Sequence, residues 1–347
     1  MTPQELDAIL ARFANLKVCV VGDLFLDKYL DIDPALAETS LETGLEAHQV
    51  TQVRCYPGAA GTVAANLAAL GVGRVALLSV IGDDGEGYDV RRAAERLGID
   101  CTWLRVQPGF RTPTYTKPLR HDPGGKPVEL NRLDIKNRRP LPAEAEEWVA
   151  ARLEEAATAF DAIAIGDQVQ ERNCGVISDG VRSALARLAE ERPRTVFVAD
   201  SRCRIGEFRN VIVKPNRAEA LAALGLPEAA AGDPARIATE LAAWVGRPAY
   251  VTLSEEGLIV ADGAHACRVP GYRVSGEVDP VGAGDSVMAG IVAALASGAT
   301  LQQAGLVGCL VASLTIQQIG VTGTASPAQV RRRLGEYLTQ QGSAGCA

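Results

Sequence analysis

The chain has 347 residues, with 35 basic against 42 acidic side chains, a net charge of −7 and 47% hydrophobic residues, enough for one large α/β domain or two ordinary ones. Its charges are scattered and net acidic, which argues against nucleic acid or an acidic membrane surface as a partner, and no apolar run approaches the ~20 residues of a bilayer span. Eight cysteines without a CxxC pair read as buried thiols of a reducing cytosol, not as a disulfide framework or a zinc site.

In chain order, residues 1–17 carry acidic side chains and no unbroken apolar stretch, so they predict a surface helix in place of a cleaved leader and a cytoplasmic location. Short apolar runs at 18–21, 75–81, 162–165, 196–199, 211–213 and 249–253 alternate with helical patterns near 63–70, 88–97, 143–159, 177–191, 217–224 and 234–244. That alternation predicts βαβ units around a mainly parallel sheet with helices on both faces. Two stretches break the rhythm. Residues 28–56 and 110–134 are polar, threonine-rich and β-prone, and they predict a small antiparallel layer serving as a lid. Beyond 253, two short strand patterns precede apolar helices near 284–297 and 301–319. A last helix near 327–338 carries Arg331, Arg332 and Arg333, read as a solvated face.

Residues 279–290, DPVGAGDSVMAG, carry the most chemistry. Small residues leading into an apolar helix leave backbone N–H groups free at its N-terminus, and with the helix dipole these form an anion site suited to phosphate. An aspartate inside such a site is repelled by bound phosphate unless it has a task, and Asp285 is placed to take the proton of an attacking hydroxyl. Other patterns fail. Residues 71–76, GVGRVA, imitate a dinucleotide fingerprint but follow a helix and precede a strand, the reverse of the required context. There is no GxxxxGK[ST], which excludes a P-loop kinase, and His48, His121 and His265 are isolated, not a zinc set. Asp83 and Asp84 read as a strand-end turn, with a place near the substrate cleft as the alternative.

At this point the chain resembles the ribokinase-like carbohydrate kinases, the PfkB family. Residues 279–292, DPVGAGDSVMAGIV, are similar to that family's C-terminal signature. VVGDLFLD (20–27) resembles its first strand and sugar-binding aspartate, and PGAAGTVAANLAALG (57–71) its glycine-rich substrate loop. KPNRAE (214–219) resembles its Asn-x-x-Glu motif, and VTLSEEG (251–257) its turn beside the nucleotide. Within the family the wording TKPLR (116–120), then LNRLD, and GVTGTASPAQV (320–330) is most similar to the bacterial heptose 7-phosphate kinase domain, the first half of a bifunctional ADP-heptose synthesis protein.

The resemblance, covering about residues 16–338, implies a single ribokinase-like kinase domain over 1–347: a three-layer α/β sandwich with a β lid and no nucleotidyltransferase domain. It implies ATP-dependent phosphorylation of a sugar or sugar phosphate, at the anomeric hydroxyl of a heptose 7-phosphate. Asp285 is then the base, and the N–H groups of Gly282, Ala283 and Gly284 hold the migrating phosphoryl group. Asp27, Gly58 and Thr62 bind the sugar. Asn216, Arg217, Ala218, Glu219, Thr252 and Gly257 line the nucleotide, with Mg²⁺ held through water by Asn216 and Glu219. Asp279 is implied beside a monovalent cation, K⁺. The lid cations Arg111, Lys117, Arg120 and Arg132 suit a phosphate already on the sugar, with Lys117 and Arg120 the first candidates. Lids of this kind pair, which implies a homodimer. The chain departs from the family at Ala59 and Ser254, where glycine is usual, and at Thr62, where asparagine is usual. Those departures motivate an alternative: a kinase of other specificity, or a weakened relative that binds a sugar phosphate or nucleotide.

Overall fold

A computed structural model describes residues 1–227 and 232–344. Its strands are β1 (Lys17–Gly22), β2 (Leu24–Ile32), β3 (Glu38–Thr39), β4 (Glu46–Ala47), β5 (Val50–Ala59), β6 (Arg74–Gly82), β7 (Leu104–Gln107), β8 (Thr114–Arg120), β9 (Val128–Glu129), β10 (Leu133–Ile135), β11 (Ala162–Asp167), β12 (Val196–Ser201), β13 (Ile212–Val213), β14 (Ala249–Thr252), β15 (Gly257–Ala261) and β16 (Ala266–Pro270). Its helices are α1 (Pro3–Leu10), α2 (Ala60–Ala69), α3 (Gly85–Arg96), α4 (Ala143–Ala159), α5 (Asp179–Glu191), α6 (Arg217–Ala223), α7 (Pro234–Val245), α8 (Ala283–Ala296), α9 (Leu301–Thr315) and α10 (Pro327–Ala344).

The main sheet runs in the order β16-β15-β14-β13-β12-β11-β1-β6-β7. It is parallel from β14 to β7, with an antiparallel meander at the β15 and β16 end. Alternate residues of each strand point to opposite faces, and the core divides accordingly. Val18, Val20, Leu77, Ala164 and Val198 join one buried layer with α1, α2, α3, α8, α9 and α10. Cys19, Val21, Leu78, Ile163, Ile165 and Phe197 join the other with α4, α5, α6 and α7. Both faces are buried, as the continuous apolar runs of a parallel sheet require, and each fully buried Leu or Ile contributes about 1.5–3 kcal/mol. Helix entries are set by local chemistry: Thr2 with Glu5 and Thr300 with Gln303 close reciprocal caps on α1 and α9.

The lid is a second sheet, ordered β10-β8-β2-β5, with β9 on β8. The expectation of an antiparallel layer needs correction, because β2 and β8 are parallel. Both leave the same carboxyl edge of the main sheet, β2 directly from β1 and β8 shortly after β7, so they must run the same way. A second correction concerns Arg333. It is buried, donates to the Ser313 carbonyl and hydroxyl and to Gln317, and stacks over Tyr272, whereas its neighbours are solvated. The cysteines are mixed: Cys19, Cys101, Cys174 and Cys309 are buried, Cys55 and Cys267 partly so, and Cys203 is exposed. Cys346 lies outside the described residues. No described helix is long and apolar enough to cross a membrane.

Candidate active site

The sheet order reverses between β11 and β1, and in open α/β folds ligands collect beyond the carboxyl ends of the strands at that switch point. A cleft lies there, lined by Gly166, Gln168, Asp200, Ala59 and Asp285. Its floor is the N-terminus of α8. Gly282 caps the helix with φ +76, and an added Cβ would lie 2.9 Å from the Thr322 methyl, so glycine is needed both for the backbone conformation and for the close approach. Of the leading N–H groups, that of Ala283 donates to the Pro280 carbonyl. Among the described residues, those of Gly282, Gly284 and Asp285 show no backbone partner, as the first turn of a helix leaves its N–H groups.

Asp285 is half-buried, and its carboxyl is pushed up to about 7, first by burial and then by the negative charge of Asp200. Beside it, Lys214 donates to Asp200 at 3.0 Å, with both side chains nearly buried. Burial opposes the Lys214 charge, but Asp200, Glu219 and Asp285 together hold its pKa above the ordinary value. Glu219 is raised by burial and by Asp200. Three carboxylates therefore share one buried ammonium, an arrangement that a hydrated divalent cation would relieve. Among the described residues no group of three or more His, Cys, Asp or Glu side chains is placed to hold a metal ion directly.

The opposite wall is the lid. Asp27 is buried, and Lys117 reaches its carboxylate at 3.3 Å while donating to the Tyr29 hydroxyl at 3.1 Å. Gly58 lies against the same carboxylate, because a Cβ there would be 2.6 Å from the Asp27 Oδ2. Thr62 is buried and turns its methyl toward Gly282, and its hydroxyl makes only a long 3.5 Å contact to the Pro57 carbonyl. Arg120 is not brought to this group. Lys117 and Arg120 are three residues apart on one strand, so the pleat turns them to opposite faces, and Arg120 pairs with Asp122. Arg111 uses its backbone to hold Asn137, and Arg132 pairs with Asp134.

The remaining expected positions have local structural tasks as well. Asn216 and Glu219 cap α6 reciprocally, each side chain accepting the other's backbone N–H, at 2.9 and 2.8 Å. Arg217 and Ala218 are the first two residues of that helix and are exposed. The Thr252 hydroxyl makes a 3.4 Å contact to the Pro215 carbonyl, and Gly257 has φ +92 with Val269 and Gly271 backbone against it. Asp279 accepts the N–H of Val281 at 3.1 Å and of Gly320 at 3.2 Å, tying the anion loop to the segment after α9. Both departures from glycine fall in the left-handed region: Ala59 has φ +54 and ψ −117, and Ser254 has φ +54.

Several site residues escaped the sequence reading. Asp200 and Gln168 lie at or just past strand ends facing the cleft, and a polar residue closing an apolar parallel strand was the available signal. Asp23 is buried and accepts the N–H groups of Gln168, Val169 and Val176 at 2.7–2.8 Å, fixing the loop that carries Gln168. Asp84, read from the sequence as part of a strand-end turn, caps α3 and holds Thr112 at the entry to the lid.

Residues 15–329 match the model of the pfkB family carbohydrate kinases. Among curated proteins, the chain is 30% identical over 308 residues to the bifunctional protein HldE of Trichlorobacter lovleyi, covering 88% of this chain and 60% of that one. It is 31% identical over 303 residues to HldE of Geobacter metallireducens, covering 86% and 59%. The chain thus spans about three fifths of the length of these relatives. Among solved structures, a putative sugar kinase from Clostridium perfringens superposes with a TM-score of 0.69 at 17% identity, over 92% of this chain and 96% of that one. Arabidopsis thaliana ribokinase complexed with ribose and ATP superposes with a TM-score of 0.66 at 17% identity, over 92% and 98%. These likenesses confirm the ribokinase-like fold. The family match running nearly end to end, the chain belongs to the pfkB carbohydrate kinases, phosphotransferases acting on a sugar hydroxyl.

Proposed function

We propose that this chain transfers the γ-phosphoryl group of ATP to the anomeric hydroxyl of a heptose 7-phosphate, with Asp285 as general base. The observation that carries the reading is the placement of Asp285, a carboxyl pushed up to about 7 directly beside free N–H groups at a helix N-terminus. A base near neutral pKa is matched to abstracting a hydroxyl proton. Asp27, oriented by Lys117 and given room by Gly58, accepts hydrogen bonds from the sugar and turns the hydroxyl toward Asp285. Lys214 and the N–H groups of Gly282 and Gly284 offset charge on the migrating phosphoryl group. Glu219 and Asn216 would hold Mg²⁺ through water, and the ion would neutralise the nucleotide phosphates. A monovalent cation, K⁺, would sit by Asp279 behind the anion loop. The heptose assignment is supported by the identity to the HldE proteins.

The reading includes a single kinase domain with a lid, paired as a homodimer in the cytoplasm. A weakened, ligand-binding relative is the second reading, favoured by the strained Ala59 and Ser254 and opposed by retention of Asp285. A coupled ADP-release assay over a panel of sugars and sugar phosphates separates them. Turnover highest on heptose 7-phosphate is expected, while tight binding without turnover on any sugar would favour the binder.

A further inference from the structure

Asn66 is an amide in an apolar place. It is completely buried on α2, in a helix whose other buried residues include Val63, Ala64 and Leu67. Its Nδ2 donates to the Thr62 carbonyl one turn back at 3.0 Å and reaches out of the helix to the Gly323 carbonyl at 3.4 Å. Its Oδ1 has no partner, and neither has the Oγ1 of Thr322, the neighbour of Gly323; these two are the buried side-chain oxygens left unpaired among the described residues. A buried acceptor without a donor is costly, and a leucine would fill much the same space without that cost. Packing alone does not call for asparagine here, whereas the bond from Nδ2 to a distant segment does.

Both ends of that bond adjoin the anion loop. A Cβ built on Gly282 would lie 2.9 Å from the Thr322 methyl and 3.4 Å from the Thr62 methyl. Gly282, the cap of α8, is therefore packed against two threonines, one from α2 and one from the segment after α9. Asn66 ties the two together, holding Thr62 by its carbonyl and Thr322 through the adjoining Gly323. Other bonds fix the same segment to α9 and to the start of the loop. The Gly320 N–H donates to Asp279 at 3.2 Å and the Asp279 N–H to the Ile316 carbonyl at 2.7 Å, while Gln318 accepts from the Thr324 N–H and donates to the Thr324 carbonyl. Asn66 adds the link to α2.

We propose that Asn66 is a positioning residue for phosphoryl transfer: it holds Thr62 and Thr322 at the spacing that seats Gly282, and through Gly282 it aims the N–H groups at the start of α8. The role rests on the reading that this loop holds the migrating phosphoryl group. Being fully buried, Asn66 acts on that group only through the backbone donors. Donors aimed in advance need no reorganisation at the moment of reaction, and a displacement of about 1 Å in such an array costs on the order of 10²-fold in rate.

Asn66→Leu, Thr322→Ser and Thr322→Val are compared with wild type on the sugar or sugar phosphate that turns over fastest, at temperatures where circular dichroism shows each variant folded. Asn66→Leu keeps the volume and removes the tether, so kcat should fall roughly 10- to 100-fold while the sugar KM and the calorimetric affinity for ADP move less than about threefold. Thr322→Ser removes the methyl that meets Gly282 and should also lower kcat. Thr322→Val keeps that methyl and should turn over faster than Thr322→Ser, and this pair decides the matter where Asn66→Leu does not fold. Wild-type kcat in Asn66→Leu, a loss carried by the sugar KM alone, or equal rates in the two Thr322 variants would overturn the role. A fall in ADP affinity as large as the fall in kcat would assign the tether to nucleotide binding and overturn it too. Asp285→Asn, run alongside, separates this from the parent reading. An unchanged rate there removes Asp285 as the base and leaves the Asn66 role standing on its own loss of kcat, whereas no wild-type turnover on any sugar removes both.

Discussion

At Asp285, one carboxyl carries two opposed demands. Its raised pKa, about 7 against an ordinary 3.8, makes it a competent base, and only the ionised form can accept the hydroxyl proton. The value of kcat/KM should therefore rise with pH through about 7 and fall about tenfold per unit well below it; a flat profile between pH 5 and 8 would remove Asp285 as the base. Asp285→Asn, nearly isosteric, should keep nucleotide affinity and lose on the order of 10²–10⁴ in rate. The same shift has a stability consequence. A carboxyl raised in the folded state binds more protons there than when unfolded, so its contribution to stability falls as pH rises from about 4 to about 7. Asp23, raised to about 6 by burial and then by Asp167, acts with the same sign. Asp285→Asn should accordingly melt higher than wild type at pH 8, with the gap closing as pH falls toward 4.

Where strand and helix meet, side-chain size and backbone conformation compete. The β5 strand passes so close to β2 that a methyl at position 58 would strike the Asp27 carboxylate. Gly58→Ala should then raise the sugar KM about tenfold or more, the loss of a charge-assisted contact, with ATP affinity unchanged. Equal loss of both would indicate a disturbed strand instead. One residue on, Ala59 occupies a φ/ψ region that glycine adopts freely and alanine does not. Strain there is of order 1–3 kcal/mol, partly offset by the extra freedom glycine has when unfolded. Ala59→Gly should stabilise the protein by about 1 kcal/mol in urea unfolding, and Ser254→Gly should act in the same direction. Destabilisation by either would show that the neighbouring packing, not the backbone, decides the cost.

For the molecule as a whole, the lid's two faces have different fates. The face with Asp27, Tyr115 and Lys117 turns to the cleft; by the strand period, Val53, Leu133 and Ile135 belong to the other, where they remain exposed at 52%, 62% and 38%. Apolar side chains on an open sheet are an association surface. Pairing of two lids through that face should give a dimeric mass by light scattering at micromolar concentration, and Val53→Lys should shift it toward monomer. A monomeric wild type would remove the homodimer.

Much of this was legible from sequence because it is local. Strand runs, helix periods and the DPVGAGD stretch depend on residues within a few positions of each other, and α4 was bounded correctly at 143–159 by its pattern alone. Asp285 stood out as a candidate because a glycine-rich turn at a helix start advertises itself, and Asp27 because residues 20–27 resemble the family's first strand. What the tertiary structure decided is long-range and steric. Register put Arg120 on the face opposite Lys117, Arg333 left the solvated face for a buried carbonyl, and the parallel pairing of β2 with β8 followed from which sheet edge each strand leaves. The charge balance around Asp285 also belongs there, since Asp200, Lys214 and Glu219 meet only when strands distant in sequence end side by side.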